Sequence, residues 1–272
     1  MNRANPFFLD AKPGKRFCLY HPPQGPCRGC VLFVPPFAEE MNKSRRMVAI
    51  QARALSALGY AVLSVDLYGC GDSSGDFRDA RWEAWKEDLA LAVKWLGQQH
   101  DAPVTLWGLR LGVLLALDFA RNAAEPIERF ILWQPVHGGE TYLTQFLRLR
   151  VANAMIAGKE KTSSKDLRHE LASNGTLEVA GYDLPHELAC AIDRIKLADL
   201  GIPGAMHHWF EIAPGVESAL SPAVMRVIEA WESRGMPVQT HKVPGEPFWS
   251  TQEITDCPDL IDRTSLLFSG AP

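Results

Sequence analysis

Short apolar runs alternate with amphipathic segments over the first half of the chain. The apolar runs, at residues 31–34, 61–67, 103–107 and 129–133, have the composition of strands buried on both faces of a sheet. Between them, residues 44–58, 80–99 and 111–122 place apolar side chains at helical spacing. This alternation predicts an α/β fold, a mostly parallel sheet with helices on both faces. Ahead of it, residues 7–10 and 16–20 predict a hairpin around Pro13 and Gly14.

The pattern changes after Pro135. Polar, helical segments at 141–157, 165–172 and 187–200 enclose residues 175–183, a short strand or a loop. The sheet pattern then resumes with strands at 206–213 and 238–243 and helices at 221–234 and 259–267. We therefore predict a core of residues 1–137 and 201–272. A helical cap, residues 138–200, is expected over the carboxyl edge of the strands, where open α/β sheets bind ligands.

Composition narrows the functional class. The 272 residues are 47% hydrophobic and carry a net charge of −4, with no long basic run, so no nucleic-acid partner is expected. No apolar stretch approaches the ~20 residues of a membrane span, and the first residues lack the order of a signal peptide, which predicts a cytoplasmic protein. The six cysteines form no disulfide pattern. No metal or nucleotide motif is present, and we expect no cofactor.

One pentapeptide, Gly108-Leu-Arg-Leu-Gly112, joins a predicted strand to a predicted helix. That is the setting of the G-x-S-x-G nucleophile elbow of α/β-hydrolases, except that arginine replaces serine. Two further strings, Phe33-Val-Pro-Pro-Phe37 and the turn at residues 66–75, resemble the oxyanion loop and the D-x-x-G-x-G-x-S-x-G turn of that superfamily. The resemblance covers nearly the whole chain and implies the α/β-hydrolase fold.

A narrower resemblance rests on two unusual strings. Pro35-Pro-Phe-Ala-Glu-Glu-Met-Asn-Lys-Ser-Arg-Arg46, together with the Leu-Trp-Gly-Leu-Arg-Leu-Gly elbow, looks like the second of the exosortase-A-system-associated hydrolases. Those bacterial proteins occur in exopolysaccharide and protein-sorting gene clusters. The resemblance implies a role in such a pathway, with a possible protein partner, although fold alone does not establish function.

The chain departs from the catalytic pattern that the resemblance implies. Arg110 is permanently protonated and cannot act as a nucleophile. The loop after the last predicted strand, 245–249, contains no histidine, and Glu217 is the one carboxylate expected after the preceding strand. Serine hydrolysis is therefore not expected, and the protein is predicted to be a degenerate hydrolase, a pseudoenzyme. The oxyanion amides of Phe37 and Leu111 are expected to remain.

Two interpretations of Arg110 stay open. A helix N-terminus that carries a fixed cation is an anion site, suited to a carboxylate or phosphate group. Alternatively, Arg110 forms an internal ion pair with Glu39 or Glu40 on the oxyanion loop, because a buried arginine without a partner is costly. The two interpretations are compatible if the pair lines a pocket.

Three functions follow from these observations. The first is a degenerate hydrolase that binds an anionic or acyl ligand around Arg110. The second is an active ester or thioester hydrolase with a displaced nucleophile, Cys70 or Ser73, and with His137 as the base. The third is an interaction module that docks a pathway protein.

Overall fold

An eight-stranded sheet forms the centre of the computed structural model, which describes residues 4–124, 126–156, 163–213, 215 and 219–270. Its strands are β1 (Asn5–Asp10), β2 (Lys15–His21), β3 (Gly29–Val34), β4 (Tyr60–Val65), β5 (Val104–Leu109), β6 (Arg129–Trp133), β9 (Met206–Ala213) and β10 (Val238–Pro244). A separate two-stranded sheet contains β7 (Thr176–Val179) and β8 (Tyr182–Pro185).

The strand order is β1-β2-β4-β3-β5-β6-β9-β10. The first two strands run antiparallel to their neighbours, and every later pair in this sheet is parallel. The sequence predicted this mostly parallel sheet. Its carboxyl edge brings the ends of β3, β5 and β6 together, with Val34 opposite Gly108 and Leu109 opposite Trp133.

Helices cover both faces of the sheet. They are α1 (Glu39–Ala57), α2 (Trp82–Gln99), α3 (Leu111–Ala120), α4 (Gly139–Ile156), α5 (Ser164–Asn174), α6 (His186–Asp193), α7 (Pro222–Glu232) and α8 (Pro258–Ser269). One apolar cluster packs α1 and α8 on one face, and a second packs α2, α3, α7 and residues of α4–α6 on the other. All six residues of β3 are buried, as its apolar run predicted. Among the described residues, no helix is both long and apolar enough to cross a membrane.

Helix α1 begins five residues before its predicted start. Ala38, at φ 51° and ψ −127°, reverses the chain after the oxyanion loop, and the helix starts directly at Glu39. Two acidic residues in the first turn favour that start because they complement the positive end of the helix dipole. Glu39 and Glu40 are therefore helical residues.

The segment between β6 and β9 is less helical than predicted. The ambiguous stretch 175–183 forms the β7–β8 hairpin, turned by Ala180 and Gly181, both at positive φ. The helix expected over 187–200 ends at Asp193. There the chain bridges back to the residues after β6, with the Leu197 amide donating to the His137 carbonyl. A tertiary hydrogen bond thus ends the helix where the local pattern would continue it.

Candidate functional site

The backbone of the nucleophile elbow is intact. Arg110 joins β5 to α3 with φ 56° and ψ −120°, a strained conformation for any residue except glycine. Its amide donates to the Trp133 carbonyl at 3.0 Å. Two glycines permit the turn: a Cβ on Gly112 would collide with the carbonyl oxygens of the oxyanion loop, and one on Gly108 with the first turn of α3. The local backbone therefore presents the Arg110 side chain where a nucleophile would be held.

That side chain is enclosed by a carboxylate and two aromatic rings. Arg110 Nε donates to Glu40 Oε1 at 3.2 Å. The guanidinium carbon lies 5.8 Å from the Tyr142 ring centre and 5.2 Å from that of Trp249. Tyr142 donates its hydroxyl to Glu40 Oε2 at 3.0 Å. Of the two ion pairs expected from the sequence, the structure contains the one with Glu40, whereas Glu39 accepts hydrogen bonds from other residues.

Burial sets the electrostatics of this cluster. It raises the pKa of Glu40, and the nearby Arg110 and the Tyr142 hydroxyl oppose that shift. Burial and the Glu40 charge together raise the pKa of Tyr142, so the phenol stays protonated and keeps its donor. Within the described ranges, the two Nη atoms of Arg110 donate no hydrogen bond, and 17% of the side chain is exposed. Arg110 is therefore paired with Glu40 through Nε, and the N–H groups of its two Nη atoms remain unused.

The loop that would carry a triad histidine carries aromatic residues. Gly245 donates its amide to the Ala213 carbonyl and so brings residues 245–249 against the end of β9. Phe248 and Trp249 are buried, and the Trp249 ring packs on Arg110. Tryptophan has no basic nitrogen, so it cannot accept the proton of a nucleophile. Glu217, the candidate acid, lies outside the described residues.

A second polar group lies at this edge and was not predicted from the sequence. Glu211, near the end of β9, accepts hydrogen bonds from Trp209 Nε1 at 2.9 Å and Gln134 Nε2 at 3.2 Å. Gln134, at φ 43°, also accepts the Ile212 amide at 2.6 Å. The only sequence signal was a carboxylate inside an otherwise apolar strand pattern. The network fixes Glu211 beside the sheet edge where Arg110 lies.

His137 stands at the same edge, as the sequence indicated. Its ring lies beside Trp209, with centres 6.3 Å apart, while much of the residue reaches solvent. Partial loss of hydration lowers its pKa, the Glu211 charge opposes this, and the Arg110 charge adds to it. The imidazole is therefore neutral at pH 7 and can donate or accept one hydrogen bond.

The two alternative nucleophiles lack activation. Ser73 is buried, accepts the Phe17 amide at 2.9 Å and donates its hydroxyl to the Asp66 carbonyl. Burial raises the pKa of the Cys70 thiol far above its ordinary value, so the thiolate is absent at pH 7. Neither side chain hydrogen-bonds a histidine in the part of the chain that the structure describes. Ser73 therefore stabilises the turn, and Cys70 forms part of a cavity wall.

Little space lies beside the expected oxyanion amides. Phe37 and Leu111 line an apolar cavity of about 10 Å³, and the Phe37 ring packs edge-on against four aromatic rings. A cavity of that volume holds about one water molecule. A neighbouring cavity of about 110 Å³ shares Cys70 with it and reaches Tyr182 on β8.

The described side chains form no cluster of metal ligands. Over the described residues, no three histidine, cysteine, aspartate or glutamate side chains are grouped closely enough to hold an ion. Glu211 and His137, the two possible ligands at the sheet edge, are accompanied by the cation of Arg110, which would oppose metal binding.

Comparison with known proteins identifies the family. Residues 25–180 match the family model of serine aminopeptidase S33 (Hydrolase_4), more than half of the chain, and the chain belongs to that family of α/β-hydrolases. Human protein ABHD12B is 31% identical over 130 residues, 46% of this chain but only 34% of that protein. The chain thus matches about a third of the length of this curated relative.

Solved structures agree on the fold. A thermostable carboxyl esterase from Bacillus coagulans, in complex with glycerol, is 16% identical with a TM-score of 0.66, covering 98% of this chain and 97% of its own. Est1E from Butyrivibrio proteoclasticus with bound ferulic acid is also 16% identical, with a TM-score of 0.63 and 97% and 96% coverage. At such identities the likeness extends to the fold alone.

Proposed function

We propose that this member of the serine aminopeptidase S33 family binds a ligand bearing a carboxylate or carbonyl group at Arg110, without serine hydrolysis. The observation that carries the proposal is the side-chain content of the elbow. An intact nucleophile-elbow backbone presents a paired guanidinium with two unused nitrogen atoms. The fold therefore still delivers a functional group to the sheet edge, but that group binds and does not attack.

Two substitutions together remove the covalent mechanism. A serine hydrolase needs a hydroxyl nucleophile and a histidine that accepts its proton. Arg110 occupies the first position, and the histidine loop instead places Trp249 against it. Since the two residues pack on each other, restoring one of them alone leaves the other blocking the site.

The charge of the cluster selects the ligand class. Glu40 offsets most of the Arg110 charge, so the free guanidinium edge suits a single carboxylate or a polarised carbonyl better than a polyanion. Tyr142 and Trp249 add aromatic walls on either side, and the neutral His137 supplies a further hydrogen bond. An acyl compound or a short carboxylate matches these groups.

The proposal also includes a role in an exopolysaccharide or protein-sorting pathway. The two strings that resemble the exosortase-A-system-associated hydrolases each supply one member of the ion pair, Glu40 from the first and Arg110 from the second. Their physical connection supports interpreting them as one functional unit. We infer a cytoplasmic binding role in an exopolysaccharide or protein-sorting pathway.

Thermal-shift titration tests the ligand site. Acetate, propionate, citrate and phosphate are compared on the wild type, on Arg110→Ala and on Arg148→Ala, which removes an exposed arginine of α4. Monocarboxylate at 100-fold excess over its Kd should stabilise wild type and Arg148→Ala by about 2.7 kcal/mol, and Arg110→Ala not at all. Equal thermal shifts in all three proteins would show that the ligand binds elsewhere. No thermal shift in the wild type would show that the Arg110–Glu40 ion pair has only a structural role.

The hydrolase and partner alternatives are separated by independent assays. Turnover of p-nitrophenyl esters or acyl thioesters that Cys70→Ala abolishes would contradict the binding proposal, as would labelling by a fluorophosphonate probe. The partner alternative is tested by immobilising the full chain and looking for a pathway protein that it retains. Retention that is lost when exposed Leu149 and Met155 of α4 are changed to serine would favour the interaction module.

A further inference from the structure

A second cavity lies away from the elbow. It has a volume of about 210 Å³ and separates α1 from the face of β2, β3 and β4. Its lining contains none of the residues that contact Arg110. Most of the wall is apolar, including Phe17 and Leu19 of β2, which are only half-buried in the middle of their strand.

The cavity extends along α1. Along α1 its wall runs from Met41 to Ala52, twelve residues whose Cα atoms span about 16 Å at the helical rise. The residues of α1 that line it recur at helical spacing on one face, with half-buried Ala49 at the rim. A volume of about 210 Å³ spread over that length suits a linear chain better than a ring system.

One end of the cavity carries the ion pair of Arg45 and Asp66. Arg45 is 46% exposed and donates from Nη2 to Asp66 Oδ2 at 3.1 Å. Asp66 also accepts the Asp72 amide, so its carboxylate is held by the turn. Among the described residues, the other nitrogen atoms of Arg45 make no hydrogen bond. They remain available to an anionic group at the cavity mouth.

The other end is closed by a neutral histidine. His21 is 3% exposed, and its Nε2 atom has no hydrogen-bond partner in the described part of the chain. Burial and then the charge of Arg53 lower its pKa. The inner end is thus uncharged, and the outer end carries a paired arginine with unused donors, which suits the head group of a fatty acid.

We propose that this cavity binds a medium-chain carboxylate, with its alkyl chain along α1 and its head group at Arg45. The ligand class follows from the apolar lining along α1, the unused guanidinium donors of the Arg45–Asp66 pair and the uncharged inner end. This site is independent of the Arg110 site and would remain if that proposal failed.

Binding of octanoate to the full chain, measured by isothermal titration, tests the proposal. Octanoate should bind at least tenfold more tightly than butyrate, because the longer chain buries more apolar surface. Arg45→Ala should weaken octanoate about tenfold and 1-octanol hardly at all, since only octanoate uses the guanidinium. Arg46→Ala is the matched control, because the neighbouring arginine pairs with Asp256 outside the cavity.

Filling the cavity completes the test. Ala49→Phe, from the half-buried rim, should abolish binding of both octanoate and octanol while far-UV circular dichroism stays unchanged. If Ala49→Phe lowers the Tm, the smaller substitution Ala49→Leu replaces it in the same binding assay. Octanoate binding that survives Ala49→Phe but disappears in Arg110→Ala would overturn the proposal and move the ligand to the elbow. Absence of binding at millimolar octanoate would also overturn it.

Discussion

The turn at residues 66–75 and the elbow at residues 108–112 both resemble α/β-hydrolase motifs, and they are maintained in different ways. Both motifs need glycines, at Gly69, Gly71 and Gly75 in the turn and at Gly108 and Gly112 in the elbow. The turn also needs side chains: Ser73 bridges Phe17 and Asp66, and the Asp66 carboxylate accepts the Asp72 amide. In the elbow the central side chain hydrogen-bonds Glu40 and no other described residue, and it bonds no part of the elbow backbone. A turn that is held partly by side chains must keep them, whereas an elbow held by its backbone and glycines can exchange its reactive residue.

The first prediction concerns the buried support of the turn. Arg16 and Asp88, both 1% exposed, pair at 2.6 Å, and Asp88 also accepts the Tyr68 amide at the start of the turn. Asp88→Ala should lower the free energy of unfolding by about 3–5 kcal/mol, because it leaves a buried guanidinium without its carboxylate. Urea denaturation measures this. The exposed neighbour Glu87→Ala is the control, and a comparable loss there would remove the special role of the pair.

The second prediction addresses the backbone of the elbow. Gly112→Ala should lower the free energy of unfolding by about 3 kcal/mol, because the added Cβ meets the Val34 and Pro35 carbonyl oxygens, which cannot move aside. Gly97→Ala, in the exposed last turn of α2 with open space around it, should instead add up to about 1 kcal/mol. Equal small effects in urea denaturation would show that the elbow does not depend on its glycines.

The third prediction separates the serines of the turn. Ser73→Ala should cost about 2 kcal/mol, since the Phe17 amide and the Asp66 carbonyl lose a buried partner. Ser74→Ala loses only an exposed bond from the Lys15 amide and should cost less than about 1 kcal/mol. Thermal and urea denaturation of both variants give the comparison. A Ser73→Ala protein as stable as the Ser74 variant would make the hydroxyl available for another role.

The fourth prediction returns serine to the elbow. Arg110→Ser should cost about 1–3 kcal/mol at pH 7, because Glu40 stays buried without its cation. Loss of Arg110 raises the pKa of Glu40 further above its ordinary 4.5, so folded Glu40 holds its proton to higher pH than unfolded Glu40 does. The part of the cost that Glu40 contributes should therefore grow only once the pH exceeds the raised pKa of Glu40 in the wild-type protein. Below pH 4.5 only the lost contacts of Arg110 with Tyr142 and Trp249 should remain.

The double variant Arg110→Ser with Glu40→Gln provides the control for that pH dependence. Its stability relative to Glu40→Gln alone should lose the part of the pH dependence that comes from Glu40, because the titrating carboxylate is gone, and should keep only the coupling between Arg110 and His137. Arg110→Ser should also resist a fluorophosphonate probe, since Trp249 occupies the histidine loop. Labelling of that variant would show that a base outside the loop can activate an elbow serine.

Local patterns predicted most of the fold correctly, because buried parallel strands and amphipathic helices each bury a recognisable set of side chains. Strand β9 was predicted residue for residue, and the mostly parallel sheet agrees with the strand–helix alternation. The early start of α1 and the end of α6 were missed because the turn at Ala38 and the Leu197–His137 bond depend on distant parts of the chain.

The candidate site was less predictable than the fold. A choice between Glu39 and Glu40 could not be made from their sequence, because the register of α1 decides which carboxylate faces the elbow. Tyr142 and Glu211 gave no clear local signal, since each reaches the sheet edge from an element far along the chain.

The sequence by itself determined that the elbow motif carries an arginine, that the histidine loop lacks histidine and that the surrounding fold is α/β. Residue identity is sufficient for those conclusions, because an arginine cannot be a nucleophile in any structure. Only the tertiary structure decided that Arg110 bonds Glu40, lies between Tyr142 and Trp249 and keeps two nitrogen atoms unused. Partner choice, burial and the resulting pKa depend on distances between elements, which no local pattern contains.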